Sequence, residues 1–264
     1  MLKTCSFLLA LASVVSTSIA PATAADRVVS YDPGVGYSQN FTHPDVVLGE
    51  PSRVNPYGEA TDPFNPPYGT NQILSIGAGG SLVVRLQKPI LNHPRNIDRL
   101  DFTIFGNSGF IITNDFDLTT YEWIGTPATD SSLFGASTGE TRVSVSFNGK
   151  HFYALNPVLA PNVDGFPPTD GAGDFRIPVD PKLAVENFAG ATLDDIRGLY
   201  DGSAGGASYD ISWAVDAKGR RVWLPMVRFI RIDVISGKTE VDGFSAVARA
   251  PHWWKGKSDE KNEK

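Results

Sequence analysis

Hydrophobic and polar residues alternate along much of this chain. A period of two marks a strand with one buried face, because successive side chains leave a strand on opposite sides. Residues 81–86 (SLVVRL) have this character after the Gly77-Ala78-Gly79-Gly80 turn. Residues 99–105 (RLDFTIF) put Leu100, Phe102 and Ile104 on one face. Residues 141–147 (TRVSVSF) do the same with Val143, Val145 and Phe147. Asn148-Gly149 predicts a type I′ hairpin turn into residues 151–155, since both types accept positive φ. Residues 227–234 (VRFIRIDV) and 241–248 (VDGFSAVA) predict two late strands, and residues 28–31 an early one. Phe229 and Ile230 are adjacent and both apolar, which predicts a bulge where the face flips.

Helical periodicity is scarce. The best candidate is 192–200, where Thr192 can cap the start and Asp194 and Asp195 suit the positive end of the helix dipole. Long irregular segments separate the strands. Residues 51–70 hold five prolines and residues 157–181 hold six. Loops of that length in a compact domain often carry function. No internal repeat is visible. Several short antiparallel strands, Gly/Pro turns and one or two short helices predict an all-β protein, a jelly-roll-like antiparallel β-sandwich occupying residues 25–250 as one domain.

The first residues change the compartment. Met1-Leu2-Lys3 is a positive start, residues 7–15 (FLLALASVV) are apolar, and Ala22-Thr23-Ala24 is a small-x-small site. Together they predict a secretory signal peptide over 1–24, cut after Ala24. The apolar run is too short for a membrane span, which takes roughly 20 residues. The only cysteine, Cys5, lies before that run, so it leaves with the leader and is not a lipoprotein anchor. The mature chain is then without disulfide, thiol nucleophile or thiolate metal site. No later stretch is apolar for long enough to cross a bilayer. The expected location is extracellular or periplasmic.

The chain has 264 residues and a formal net charge of −6, which disfavours general nucleic-acid binding. Its 41% hydrophobic content supports a packed core. Its 26 glycines and 19 prolines argue against a helical bundle. Residues 255–264 (KGKSDEKNEK) predict a charged, disordered tail within 251–264. Trp253 and Trp254 are expected to pack against the sheet edge, with a docking peptide as the alternative.

Several segments together carry a resemblance. They are VVSYDPG (28–34), VLGEP (47–51), LSIGAGGSL (74–82), DFTIFGN (101–107), VSVSFNG (143–149), LYDGSAGG (199–206) and VDGF (241–244). In this order they resemble a family of exported bacterial cell-surface proteins that often carry a PEP-CTERM sorting tail. The resemblance spans about residue 28 to residue 248. It implies a β-sandwich at or beyond the cell surface, and it implies no catalytic residues. The sorting tail's Pro-Glu-Pro motif, apolar span and basic end are missing here, so free secretion is expected rather than tail-mediated anchoring.

Two kinds of site follow from residue chemistry. A hard cation takes several oxygen ligands, and acidic loops on sandwiches supply them. Asp101, Asn107, Asp210 and Asp242 are the candidate ligands of one structural calcium, against the plainer reading that each caps a turn. Sugars stack on exposed aromatic faces, and the candidate ligand-binding residues are Tyr68, Trp123, Tyr209 and Trp213. Tyr57, Phe64 and Tyr121 lie in similar loops, and Asn65-Pro66-Pro67 could hold Tyr68 rigid and exposed. The plainer reading is that these rings fill the core.

Catalytic motifs are lacking. The histidines (His43, His93, His151, His252) have no zinc spacing, and there is no Gly-x-Ser-x-Gly elbow. The carboxylate pairs Asp115/Asp117 and Glu240/Asp242 are of a kind common on acidic loops. Gly202-Ser203-Ala204-Gly205-Gly206 lacks the lysine of a phosphate loop and reads as a flexible turn. The leading expectation is a non-catalytic binding protein for a polysaccharide or another cell-surface component. The alternatives are a structural envelope or matrix protein and a calcium-dependent polysaccharide-active enzyme.

Overall fold

The computed structural model describes residues 23–135 and 139–250. The leader up to residue 22 and the 251–264 tail with Trp253 and Trp254 lie outside the described residues. The first half of the chain supplies strands β1 (Ala25–Asp32), β2 (Leu74–Gly77), β3 (Ser81–Leu91) and β4 (Phe102–Phe105). It continues with β5 (Gly109–Ile112), β6 (Phe116–Asp117), β7 (Glu122–Trp123) and β8 (Thr129–Phe134). The second half supplies β9 (Thr141–Ser146), β10 (Tyr153–Leu155), the helix α1 (Leu193–Tyr200) and β11 (Ala207–Tyr209). It ends with β12 (Ala214–Val215), β13 (Met226–Val234), β14 (Lys238–Val241) and β15 (Gly243–Ala246).

The protein is all-β, and the paired strands run antiparallel. The principal sheet has the order β1-β3-β13-β9-β10-β12. Facing it across the core are two short sheets, β11-β4-β15 and β14-β2. The second layer is thus interrupted, unlike a sandwich of two continuous sheets. Alternation explains the principal sheet. Leu82, Val84 and Leu86 of β3, Ile230 and Ile232 of β13, and Val143 and Val145 of β9 all point to the core and are buried. Leu74, Ile76, Phe102, Ile104 and Phe244 meet them from the other layer. Burying one such side chain contributes about 1.5–3 kcal/mol.

The bulge expected at Phe229 is present as a register shift against β3 between Val227 and Phe229. It turns Ile230 inward and leaves Phe229 half-buried. Two other expectations need correction. The β9–β10 connection is not a two-residue turn, because β9 stops at Ser146 and β10 starts at Tyr153. The Asn148 side chain accepts from the backbone N–H of Lys150 (2.9 Å) and His151 (3.0 Å), which closes a wider loop. Phe147 consequently leaves the core face and is exposed. The strand read over 241–248 is two strands. β14 pairs with β2 and β15 pairs with β4, so the chain changes sheet at Asp242.

α1 starts as its sequence requires. The Thr192 hydroxyl accepts from Asp195 N–H, and the Asp195 carboxylate accepts from Thr192 N–H (3.0 Å), forming a capping box. Its Ile196 and Tyr200 pack with Phe110 and Phe188 in a second core. The glycine-rich 202–206 segment is not a flexible turn. Ser203, Ala204, Gly205 and Gly206 are buried. A Cβ on Gly205, at φ +75°, would stand 1.9 Å from the Pro168 carbonyl oxygen. This is a close crossing of two backbones that only glycine permits. Among the described residues no helix is long and apolar enough to cross a membrane.

Candidate functional site

The four candidate calcium ligands do not converge. Gly243 pairs with Phe105 and Ala246 with Phe102, so Asp101 and Asp242 stand beyond opposite ends of the β4–β15 ladder. At the rise of a strand their Cα atoms are roughly 15 Å apart. Asp101 is buried and accepts from Asn96 Nδ2 (2.7 Å), Ile211 N–H (2.8 Å) and His93 N–H (3.3 Å). Burial pushes its carboxyl up to about 7, against those donors, with nearby Asp210 adding to the rise. Asp210 itself accepts from Ser212 N–H at 2.6 Å and caps a short turn. Asp242 takes both its bonds from Ser52, from N–H (2.8 Å) and hydroxyl (2.7 Å), and burial pushes it up to about 7.

Asn107 belongs to a different neighbourhood. Its N–H and that of Ser108 both donate to Asp164 Oδ1 at 2.8 Å. Glu240 N–H donates to Asp164 Oδ2 (3.2 Å). Asp164 is buried and pushed up to about 7 by desolvation, with Glu240 adding to the rise and the N–H donors opposing it. Each buried acid therefore ties a loop to a strand. Among the described residues no group of three or more His, Cys, Asp or Glu is placed to hold a metal. The suggested carboxylate pairs are likewise committed separately. Glu240 accepts from Ser38 Oγ (2.7 Å) and Lys238 (3.1 Å). Asp117 accepts from Thr119 N–H at 2.7 Å inside its own hairpin.

The aromatic candidates divide. Tyr209 is fully buried, stacked on Phe102 at 5.1 Å, and its hydroxyl donates to the Pro161 carbonyl (3.1 Å). It is core, because β11 pairs with β4 and turns that side chain inward. Trp213 is half-buried against two apolar clusters and lines a cavity of about 230 Å³ with Leu100, Pro161 and Leu183. Trp123 is exposed on the β6–β7 hairpin, edge-on to Phe116 at 5.0 Å. Tyr68 is exposed, and the structure gives it a partner in Tyr57, with ring centroids 6.4 Å apart and planes at 54°.

The Tyr57–Tyr68 pair sits on the first proline-rich loop, and that loop is stiff. Pro66 and Pro67 are buried beneath the exposed Tyr68. Buried Asn55 accepts from the N–H groups of Tyr57 (2.9 Å) and Glu59 (3.1 Å) and donates to Glu59 Oε2 (2.8 Å). Gln72 donates to the Val54 carbonyl and accepts from Gly69 N–H (3.1 Å). Two exposed rings are therefore presented on a backbone that is already fixed, which lowers the entropy cost of binding.

Arg53 fastens this loop to the second one. It donates to the carbonyls of Gly171 (2.8 Å) and Gly173 (3.0 Å) and lies 4.4 Å over the Phe175 ring. Gly171 N–H returns a bond to the Thr61 carbonyl (3.1 Å). Beside this seam opens a cleft of about 900 Å³, with Ala25, Leu48 and Phe175 among its apolar lining. Glu50, Arg53, Gln87, Asp174 and Arg176 line it as well. Arg176 holds the Asp174 carboxyl below the usual carboxylate range, so this ion pair stays charged in the cleft. Planar carboxylates, amides and guanidiniums of this kind bond paired hydroxyl groups.

No protein-family model matches the chain, and no curated protein is similar enough to count as a relative. The sequence places Tyr57 among the loop aromatics without choosing it as a ligand, and it does not single out Arg53. The flanking prolines point to Tyr68, but its neighbour becomes visible only through the loop's long-range bonds. Nothing local distinguishes Arg53.

Proposed function

We propose that this protein is an exported, non-catalytic β-sandwich that binds a glycan or another extracellular polymer through the Tyr57–Tyr68 loop. The observation that carries this reading is the exposed tyrosine pair, 80% and 41% accessible, on a loop fixed by Asn55 and two buried prolines. Aromatic rings left in water on a rigid loop offer flat apolar faces to the C–H faces of sugars. The polar cleft beside Arg53, where the two proline-rich loops meet, supplies hydroxyl-binding groups as well. The leader-like N-terminus and the resemblance to exported cell-surface proteins support a location outside the cytoplasm. A pull-down on insoluble polysaccharides together with a glycan array tests the proposal. Binding that falls when Tyr57 and Tyr68 are replaced by Ala supports it, and clean negatives in both formats overturn it.

A structural role in the envelope or matrix is the second reading. It is favoured by the β6–β7 hairpin and its flank, where Phe116, Leu118, Tyr121, Trp123 and Ile124 are all exposed. Concentration-dependent self-association that Trp123→Ser abolishes is its signature, read by light scattering.

A further inference from the structure

The outer side of the principal sheet carries a line of arginines that the tyrosine loop does not use. Arg27 on β1, Arg85 on β3, Arg231 on β13 and Arg142 on β9 come from four strands that are successive neighbours in the sheet. Register fixes their common face. Arg27 stands opposite Arg85. Arg231 stands opposite Val83 on one side and Ser144 on the other. Arg142 stands opposite Asp233. Their chain neighbours Val84, Leu86, Ile230, Ile232 and Val143 turn to the core. The track runs straight from Arg27 to Arg85, then steps diagonally to Arg231 and again to Arg142. The straight step is roughly the interstrand distance of 4.8 Å, and each diagonal step, with two residues of rise added, is roughly 8 Å.

At its β9 end the track enters a groove of about 660 Å³. Arg142, Arg231, Ser144, Lys150 and His151 line it, with Asp233 and Asp216. The 147–152 loop, which packs Gly149 on the Phe229 ring, brings Lys150 and His151 to it. The acids on this face are largely engaged. Asp26 takes two bonds from Arg85 (2.9 and 2.8 Å), Asp233 is paired with Arg231 (2.6 Å), and Asp216 is paired with Arg220 (2.7 Å). Asp32 accepts from Gly34 N–H (3.1 Å). These pairs also hold two of the guanidiniums in place. Arg27, Arg142 and Lys150 take no part in them. Arg85 and Arg231 are offset by their acids, so the surplus positive charge of the strip rests on Arg27 at one end and on Arg142 with Lys150 at the other.

We propose that this strip binds a polyanionic polysaccharide, one bearing carboxylate or sulfate groups at regular intervals along an extended chain. The guanidiniums of Arg27 and Arg142, outside those pairs, match both groups in geometry and charge. Ser81, Ser144 and Ala154 are small and leave room on the sheet for a chain to lie across it. An anionic membrane is the competing surface, since Phe152 and Tyr153 line the same groove, and vesicles are one arm of the test. Nucleic acid fits less well, because a phosphate backbone is held by many clustered free cations, and two of these four arginines are already paired with acids. The site shares no residue with the tyrosine loop, so either can fail without the other.

The test is affinity electrophoresis of the full chain through gels containing polygalacturonate, dextran sulfate or neutral dextran, followed by titration calorimetry. The expected result is retardation by the two acidic polymers and not by dextran. A tenfold rise in salt is expected to abolish it, since exposed charge contacts are screened within a Debye length. The double variant Arg142→Ala/Lys150→Ala is expected to weaken binding about tenfold, as loss of two partly exposed charge contacts implies. Its melting temperature is expected to match the wild type, and Tyr57→Ala/Tyr68→Ala is expected to leave this binding intact. Absence of retardation overturns the proposal. So does binding that the double variant leaves unchanged, or equal binding to duplex DNA or phosphatidylglycerol vesicles.

Discussion

Asp164 and Asp242 are both buried acids, but one is bonded only by backbone and the other only by Ser52. Asp164 accepts three N–H donors, from Asn107, Ser108 and Glu240. Asp242 accepts the N–H and the hydroxyl of Ser52. The difference predicts unequal losses from the same substitution. Asp164→Asn must aim its NH₂ at a backbone N–H, leaving a buried donor unsatisfied, at a cost of about 1–3 kcal/mol. Asp242→Asn can donate to the Ser52 hydroxyl, which rotates to accept, and is expected to cost under about 1 kcal/mol. Urea unfolding of both variants checks this, and equal losses would contradict it.

The same acids set a pH dependence. Asp101, Asp164 and Asp242 are each pushed up to about 7 by burial, from an ordinary value of 3.8. Between about pH 4 and 7 the folded chain then binds more protons than the unfolded one, so stability falls as pH rises through that window. The carboxyls held low by arginine, such as Asp26 and Asp174, remain ionised above pH 4 and do not cancel the trend. Thermal unfolding is expected at a higher temperature at pH 5.5 than at pH 8, and Asp242→Asn is expected to flatten the slope. A melting temperature that rises from pH 5.5 to 8 would contradict the account.

Arg53 joins the two proline-rich loops by two carbonyl bonds and the Phe175 ring. Arg53→Ala removes these and leaves two carbonyls to water, for a loss of about 1–3 kcal/mol. Arg53→Lys cannot reproduce the fork and is expected to recover less than half. Hydrogen exchange is expected to quicken in 51–70 and 167–175 in both variants, with β3 and β13 unchanged.

The acids proposed for calcium are occupied by protein donors, which predicts that chelator leaves the melting curve where it is. Differential scanning calorimetry with and without chelator reads this directly. A drop that calcium reverses would show an ion held by other oxygens.

The strands with strong local alternation were legible in the sequence. Leu82, Val84, Ile230, Ile232, Val143 and Val145 face the core as their spacing requires, and Thr192 caps α1 as its type requires. What was not legible depends on partners distant in the chain. β2 is only four residues long and becomes a strand by pairing with β14, more than 160 positions later. The sheet change at Asp242 shows locally only as a break in alternation, with Val241 and Phe244 both facing the core three residues apart, and the new pairing partner is not visible there. Tyr209 read as a loop ring, yet pairing of β11 with β4 turned it onto Phe102. Of the candidate site, Tyr68 was visible through its two prolines. The pairing of Tyr57 with Tyr68, the role of Arg53 and the arginine track needed the third dimension.

Binding of the full chain to insoluble polysaccharide, compared with Tyr57→Ala/Tyr68→Ala, tests the central claim most directly. Both rings are exposed, so the double variant is expected to keep the wild-type melting temperature while losing at least about tenfold in affinity, as removal of two stacking contacts implies. Equal binding by the two proteins, with folding intact in both, would contradict the account.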